Sequence, residues 1–341
     1  MRQRELPELI ELERLMEEGR DHFVSRQLCE VEASGQRLPV HVVCLGSNDP
    51  QAPAVGFFGG IHGLERIGTQ VLLAFMRSLL ARLGWDRALH HQLESIRLVF
   101  MPLINPGGMK LHTRSNPRGV DLMRNAPVDA RERVPFLVGG QRWSARLPWY
   151  RGAAGAAMEA ESQALAKVVR DELLSRKFSL ALDCHSGFGL RDRIWFPYAH
   201  SRMPFAQLAE VYALKSLLDR TYPHHPYLFE PQSHQYLTHG DLWDYLCESQ
   251  QADAGQVFLP LTLELGSWLW IKKNPRQMFS LSGMFNPLVP HRQQRVLRSH
   301  LLWLDFLTRA ASAYQHWLPN GENRPSHYQD ACASWYQGVV R

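Results

Sequence analysis

Four short, almost uninterrupted apolar runs do most to limit the fold of this chain: residues 54–59, 96–104, 178–183 and 257–265. A strand with one wet face alternates apolar and polar positions, whereas a strand covered on both faces reads as a continuous run of Val, Leu, Ile and Phe. Stretches with helical spacing separate the runs. Ile67, Val71, Leu72, Phe75 and Leu79 follow the first, and residues 158–174, with Glu159 and Glu161 near their start, precede the third. Residues 206–218 form another. Strands alternating with helices predict a single-domain α/β/α sandwich with a mixed, mostly parallel central sheet and helices on both faces. At 341 residues and 45% hydrophobic content, the chain can bury a core of that size.

Around this frame, Leu9, Leu12, Leu15 and Met16 place an amphipathic helix in the first twenty residues. Residues 22–31 and 38–45 read as an edge hairpin turning through Ser34-Gly35-Gln36-Arg37, and residues 293–313 as a final amphipathic helix. The run at 96–104 ends in Asn105-Pro106-Gly107-Gly108, a turn signal. Residues 109–149 and 222–239 lack periodicity and read as long loops over the carboxyl edge of the sheet, where α/β proteins build their sites.

Composition narrows the partners. The net charge of +5 is spread along the chain, which argues against nucleic acid and is better used on an acidic substrate group. No run is long enough to span a bilayer, so no membrane partner is expected. The five cysteines are scattered and form no Cys-x-x-Cys pair, as expected of buried free thiols in a reducing compartment. The charged N-terminus lacks a signal-peptide core, and the expected location is cytoplasmic.

The chemistry gathers at strand ends. Phe57-Phe58-Gly59-Gly60-Ile61-His62-Gly63-Leu64-Glu65 closes the first run with an imidazole and a carboxylate three residues apart. His185, followed by Ser186-Gly187, closes the third. His62, Glu65 and His185 together make the three-ligand set of a catalytic zinc, which keeps its fourth position for water. Glu264 stands in Leu263-Glu264-Leu265, where a buried carboxylate needs a cation or a chemical task, such as that of general base. Arg114 and Arg124 suit carboxylate recognition or carbonyl polarisation. His224, His225, His234 and His239 show no ligand spacing and read as loop residues.

These residues stand in ordered blocks: Gly60-Ile61-His62-Gly63-Leu64-Glu65, residues 101–108, Thr113-Arg114-Ser115-Asn116, residues 119–125, Asp183-Cys184-His185-Ser186 and Thr262-Leu263-Glu264-Leu265. The set, over about residues 55–270, resembles the zinc carboxypeptidase family of the carboxypeptidase A type. The resemblance implies one domain over residues 1–341, with an N-terminal helix and hairpin (1–45) and a C-terminal helix (293–313) packed on it. It implies one zinc per chain on His62, Glu65 and His185, Glu264 as general base, and Arg114 stabilising the oxyanion. Arg124 would hold the substrate carboxylate, Asp121 would orient the first histidine, and Tyr236 would cap the substrate, with Tyr245 and Tyr227 as competitors. The implied activity is hydrolysis of the C-terminal amide bond of a peptide or peptide-like substrate. Two other readings share the motif: a zinc N-acyl amino acid hydrolase of the aspartoacylase and succinylglutamate desuccinylase type, and a catalytically silent binding protein. The chain departs from the family at Met123, where an Asn is common before the carboxylate-binding Arg, and at Leu64, where many digestive members carry Arg.

Overall fold

A computed structural model describes residues 6–249 and 255–337. At its centre lies one eight-stranded sheet. In chain order the strands are β1 (Val24–Ala33), β2 (Gln36–Gly46), β3 (Ala54–Gly59), β4 (Arg97–Met101), β5 (Phe178–Ser186), β6 (Arg193–Phe196), β7 (Leu228–Pro231) and β8 (Val257–Leu265). Their spatial order is β1-β2-β4-β3-β5-β8-β6-β7. The inner strands β4, β3, β5 and β8 run parallel, as do β6 and β7; β1-β2, β2-β4 and β6-β8 are antiparallel.

The continuous apolar runs have the cause expected of them, because each inner strand feeds two cores. On β3, Val55 and Phe57 enter one hydrophobic cluster while Ala54 and Phe58 enter the other. Helices Pro7–Glu18, Arg66–Leu83, Leu208–Thr221, Pro290–Ser312 and Arg324–Trp335 contribute to the first cluster, and Ala160–Val169 and Leu242–Ser249 to the second. The sheet is therefore covered on both faces. At one edge, Ser34 and Gly35 turn the β1-β2 hairpin with φ of 52° and 70°, the left-handed pair that a two-residue hairpin loop requires.

Toward their carboxyl ends β5 and β8 change from continuous to alternating. Leu180, Leu182 and Cys184 of β5, like Leu261, Leu263 and Leu265 of β8, face the first cluster. Asp183 and His185, and on β8 Thr262 and Glu264, take the opposite phase. The parallel register sets His185 beside Glu264 and Asp183 beside Thr262. Because β3 runs parallel to both, the turn after it delivers His62 and Glu65 to the same edge.

Elsewhere the structure departs from the sequence expectations. The strand expected over 96–104 ends at Met101, and Asn105-Pro106-Gly107-Gly108 opens helix Pro106–Leu111 instead of a plain turn. Asn105 is its N-cap: the side-chain oxygen accepts from Gly108 N at 2.7 Å, and the amide donates to Ile61 O at 3.2 Å. The loop expected over 222–239 contains β7, which pairs with β6. Helix Pro290–Ser312 is not the last, since Arg324–Trp335 follows it. The N-terminal helix runs Pro7–Glu18, and the first five residues lie outside those described. All five cysteines are free; Cys44 and Cys184 are buried and the other three half-buried.

Gly63, inside the ligand-bearing turn, lies so close to the capped helix that a Cβ on it would sit 2.1 Å from the Gly108 carbonyl carbon. The Asn105 cap thus also fixes the turn that carries His62 and Glu65. Asn105→Ala is expected to lower stability by about 1–3 kcal/mol, because it orphans Gly108 N and Ile61 O in a buried place. Urea unfolding of the metal-free protein measures this; a loss below about 0.5 kcal/mol would show that the cap carries little.

Candidate active site

Glu65 occupies the centre of the site and is 2% exposed. One carboxylate oxygen, Oε1, lies 2.8 Å from His62 Nδ1 and accepts from Arg114 Nη1 at 3.1 Å. The other, Oε2, lies 3.0 Å from His185 Nδ1 and accepts from the Ser186 amide at 3.0 Å. The ligand atoms of His62, Glu65 and His185 all fall within 4.8 Å of one another, and among the described residues no other group of three has this geometry.

The donor chemistry fits a metal. Each histidine turns its outer nitrogen to a buried carboxylate: His62 Nε2 lies 3.0 Å from Asp121 Oδ1, and His185 Nε2 lies 2.8 Å from Asp183 Oδ2. With the proton on Nε2, each Nδ1 keeps its lone pair toward the centre, and a carboxylate behind an imidazole raises its basicity as a ligand. His62 Nδ1 is buried without a hydrogen bond, since the nearby Glu65 oxygen is out of alignment for one. Two nitrogens and a carboxylate around one point form the open three-ligand set that zinc accepts.

Asp121 serves two partners, His62 and Arg114, accepting from Arg114 Nε at 2.9 Å. Burial would raise its carboxyl, but the charges of Arg114 and His62 hold it well below the usual carboxylate range. Asp183 is the residue that sequence reasoning missed. Its Oδ2 also accepts from Trp243 Nε1 at 3.0 Å. The signal was available: Asp183 and His185 stand two apart on a strand and therefore share a face.

Above the ligands opens a cleft of about 360 Å³ that includes His62, Glu65, His185, Glu264, Arg114, Arg124 and Tyr236 in its walls. Burial, then the negative charge of Glu65, pushes the Glu264 carboxyl up to about 8. Tyr236 is half-buried in the cleft wall it shares with Arg124, and its ring packs 6.1 Å from both Phe188 and Trp195. The competing tyrosines lie elsewhere: Tyr227 is bonded to His300 Nδ1 at 2.9 Å, and Tyr245 accepts from Arg170 at 3.0 Å. Met123 lines the cleft beside Arg124, whereas the Leu64 side chain is buried outside it. Asp241 lies deep in the cleft with Oδ2 unpartnered, and burial followed by the charge of Asp244 pushes it up to about 7. Gly240, at φ 71°, lets this loop approach until a Cβ would stand 1.9 Å from Arg124 O.

Residues 18–253 match the family model for zinc carboxypeptidases. The chain belongs to the zinc carboxypeptidase family. Members of this family use zinc, and among the described residues His62, Glu65 and His185 are the group that could hold it. Among curated relatives, carboxypeptidase D of Anas platyrhynchos is 25% identical over 195 residues, which is 55% of this chain and 12% of that protein. Carboxypeptidase E of Caenorhabditis elegans is 33% identical over 117 residues, covering 29% of this chain and 25% of that one. The matched segments thus span a quarter or less of these relatives' own length. In fold, the chain is similar to thrombin-activatable fibrinolysis inhibitor, with a TM-score of 0.64 at 18% identity over 89% of this chain and 72% of that one. It is likewise similar to carboxypeptidase A from Helicoverpa armigera, with a TM-score of 0.63 at 18% identity over 89% and 71%.

Two measurements follow from this geometry. Asp183→Asn should weaken zinc affinity about 10- to 100-fold in competition titrations while leaving one site per chain; unchanged affinity would remove the orienting role. A carboxyl whose folded pKa lies above its unfolded value holds its proton longer when folded, so stability falls as pH rises between the two. For Glu264 that window runs from 4.5 to about 8. Metal-free protein should therefore lose stability across that window by more than about 1 kcal/mol relative to Glu264→Gln, and parallel pH profiles would contradict the shift.

Proposed function

We propose that the protein is a zinc-dependent carboxypeptidase that hydrolyses the C-terminal amide bond of a peptide or peptide-like substrate bearing a free carboxylate. The observation that carries this reading is the register pairing of His185 with Glu264, which sets an unpaired carboxyl beside the ligand group inside a cleft that also holds two arginines.

Zinc held by His62, Glu65 and His185 would supply Lewis acidity, lowering the pKa of a water and polarising the scissile carbonyl. Glu264, ionised for the task, takes the proton from the attacking water and passes it to the departing amine. With the Glu65 charge offset by a bound cation, Glu264 would give up its proton more readily than in the metal-free protein and so serve as a base near neutral pH. Arg114, anchored by Asp121 and Glu65, stabilises the oxygen on which negative charge develops, and it is already in place, with little reorganisation left to supply. Arg124 receives the terminal carboxylate, and Tyr236 closes over it from the aromatic wall formed with Phe188 and Trp195. Met123 gives the carboxylate no hydrogen bond where family members commonly offer an Asn, which leaves Arg124 as the principal anchor.

With a peptide library and the zinc-loaded protein, release of C-terminal residues is expected. It should fall by at least about 10³-fold in Glu264→Gln with zinc retained, and unchanged turnover in that variant would sink the mechanism. Arg124→Ala should raise KM for free-carboxylate peptides and do little to their C-terminally amidated forms. Release of an acyl group from N-acyl amino acids, with peptides untouched, would instead favour the N-acyl amino acid hydrolase reading.

A further inference from the structure

The expectation that positive charge is spread along the chain fails in one place. Between Glu264 and Asp305 the sequence has no acidic residue, while Lys272, Lys273, Arg276, Arg292, Arg295 and Arg298 fall in that interval. They lie on two neighbouring pieces: the short helical segments Trp268–Lys273 and Pro275–Phe279, and the first turns of helix Pro290–Ser312. None of the six has an ion pair among the described residues. Arg292 donates only to the backbone oxygens of Trp270 and Lys273. A cleft of about 410 Å³ between the two pieces is lined by Lys273, Arg292 and Arg295, with Asp192 its one acidic residue among those described.

The same segment holds apolar side chains out in water. Of eighteen exposed large hydrophobic residues among those described, seven fall within residues 268–288; Phe279 is 92% exposed and Met278 62%. This is a built arrangement. Gln277 is 1% exposed and donates to Gly283 O and Asn286 O at 3.0 and 3.1 Å, so the fold buries the amide and presents its apolar neighbours outward. The segment also borders the catalytic cleft. Phe285 lines that cleft, and Trp268 packs 5.5 Å from Phe188 and donates to Gly187 O. Asn286 joins it to the ligand turn, donating to Leu64 O at 2.8 Å and accepting from Ile67 N at 2.9 Å.

We propose that residues 268–298 form a docking face for an anionic lipid surface, with Met278 and Phe279 entering the headgroup region and the six cations meeting acidic headgroups. Exposed apolar side chains on a segment that also carries unpaired Lys and Arg are the composition that binds an acidic bilayer interface, where apolar burial and charge attraction add. A second copy of this chain is a poor occupant, because it would set six cations against six. Lying on a surface needs no spanning run. The expectation of no membrane partner rested on the lack of such a run, and no helix among the described residues is long and apolar enough to cross a membrane. Docked this way, the catalytic cleft opens beside the bilayer.

The test is sedimentation of the purified full-length protein with vesicles of phosphatidylglycerol and phosphatidylcholine, against vesicles of phosphatidylcholine alone. Binding to the acidic vesicles is expected to be at least about tenfold tighter and to weaken steeply with salt. Phe279→Ser and the pair Lys272→Glu with Arg276→Glu should each reduce it about tenfold, with melting temperature and zinc content unchanged. The proposal is overturned by no binding to acidic vesicles, by equal binding to neutral ones, or by binding that neither variant disturbs. Self-association in light scattering that Phe279→Ser abolishes, without vesicle binding, would assign the face to a second copy instead. Retention of an acidic protein without vesicle binding would assign it to a protein partner.

Discussion

A single buried carboxylate sets the terms for the rest of the molecule. Glu65 sits between two imidazoles, with an arginine and a backbone amide on its outer sides, and each imidazole is backed by another carboxylate. A lone carboxylate in such a place would cost several kcal/mol, and here the charges and hydrogen bonds of His62 and His185 outweigh burial and hold the Glu65 carboxyl below the usual carboxylate range. In the metal-free state that ionised carboxylate acts on its neighbours. Glu264 is held protonated up to about 8, and His185, although burial favours its neutral ring, is pulled well above its ordinary range by Asp183 and Glu65. A bound divalent cation would relieve both at once, with protons leaving the ligands and the acids around them offset, so affinity for metal, pH and stability would be linked.

The sheet exists in its observed form to hold that point. Three parallel strands end together, and the last residues of β5 and β8 give up one face of the sheet to polar side chains while Leu182, Cys184, Leu263 and Leu265 keep the other in the core. The ligands thereby stand on rigid backbone. The arginines, Tyr236 and Asp241 come from the long connections, where this chain also departs from its family at Met123. In the proposed reading, substrate choice would be carried by the loops and the metal by the end of β5 and the short turn that leaves β3.

Much of this was legible in the residues, for reasons that differ by element. β3 and β8 could be read to the residue because burial on both faces leaves a continuous apolar run, and His185 and Glu264 could be read because each breaks such a run near its end. Asp183 was passed over as a strand terminus, since inside an apolar run a carboxylate signals a boundary unless its phase with His185 is considered. β6 and β7 have only four residues each, too few for a period to show. Helix Arg324–Trp335 buries little more than Ala331 and Trp335, so its sequence carries almost no stripe. Asn105 was read as a turn former because the same side-chain oxygen that builds a turn also caps a helix. The basic, apolar segment was written plainly between Glu264 and Asp305, but only the packing of its helices brings Lys273, Arg292 and Arg295 to one cleft.

The central claim is that this one set of atoms binds the metal that the family uses. Anomalous diffraction at the zinc edge, from crystals of the zinc-loaded protein, tests it most directly. The account predicts one zinc per chain, about 2.0–2.2 Å from Nδ1 of His62, Nδ1 of His185 and a Glu65 oxygen, with Glu264 near but unbound. Zinc elsewhere, coordination through either Nε2, or Glu264 as a ligand would contradict it.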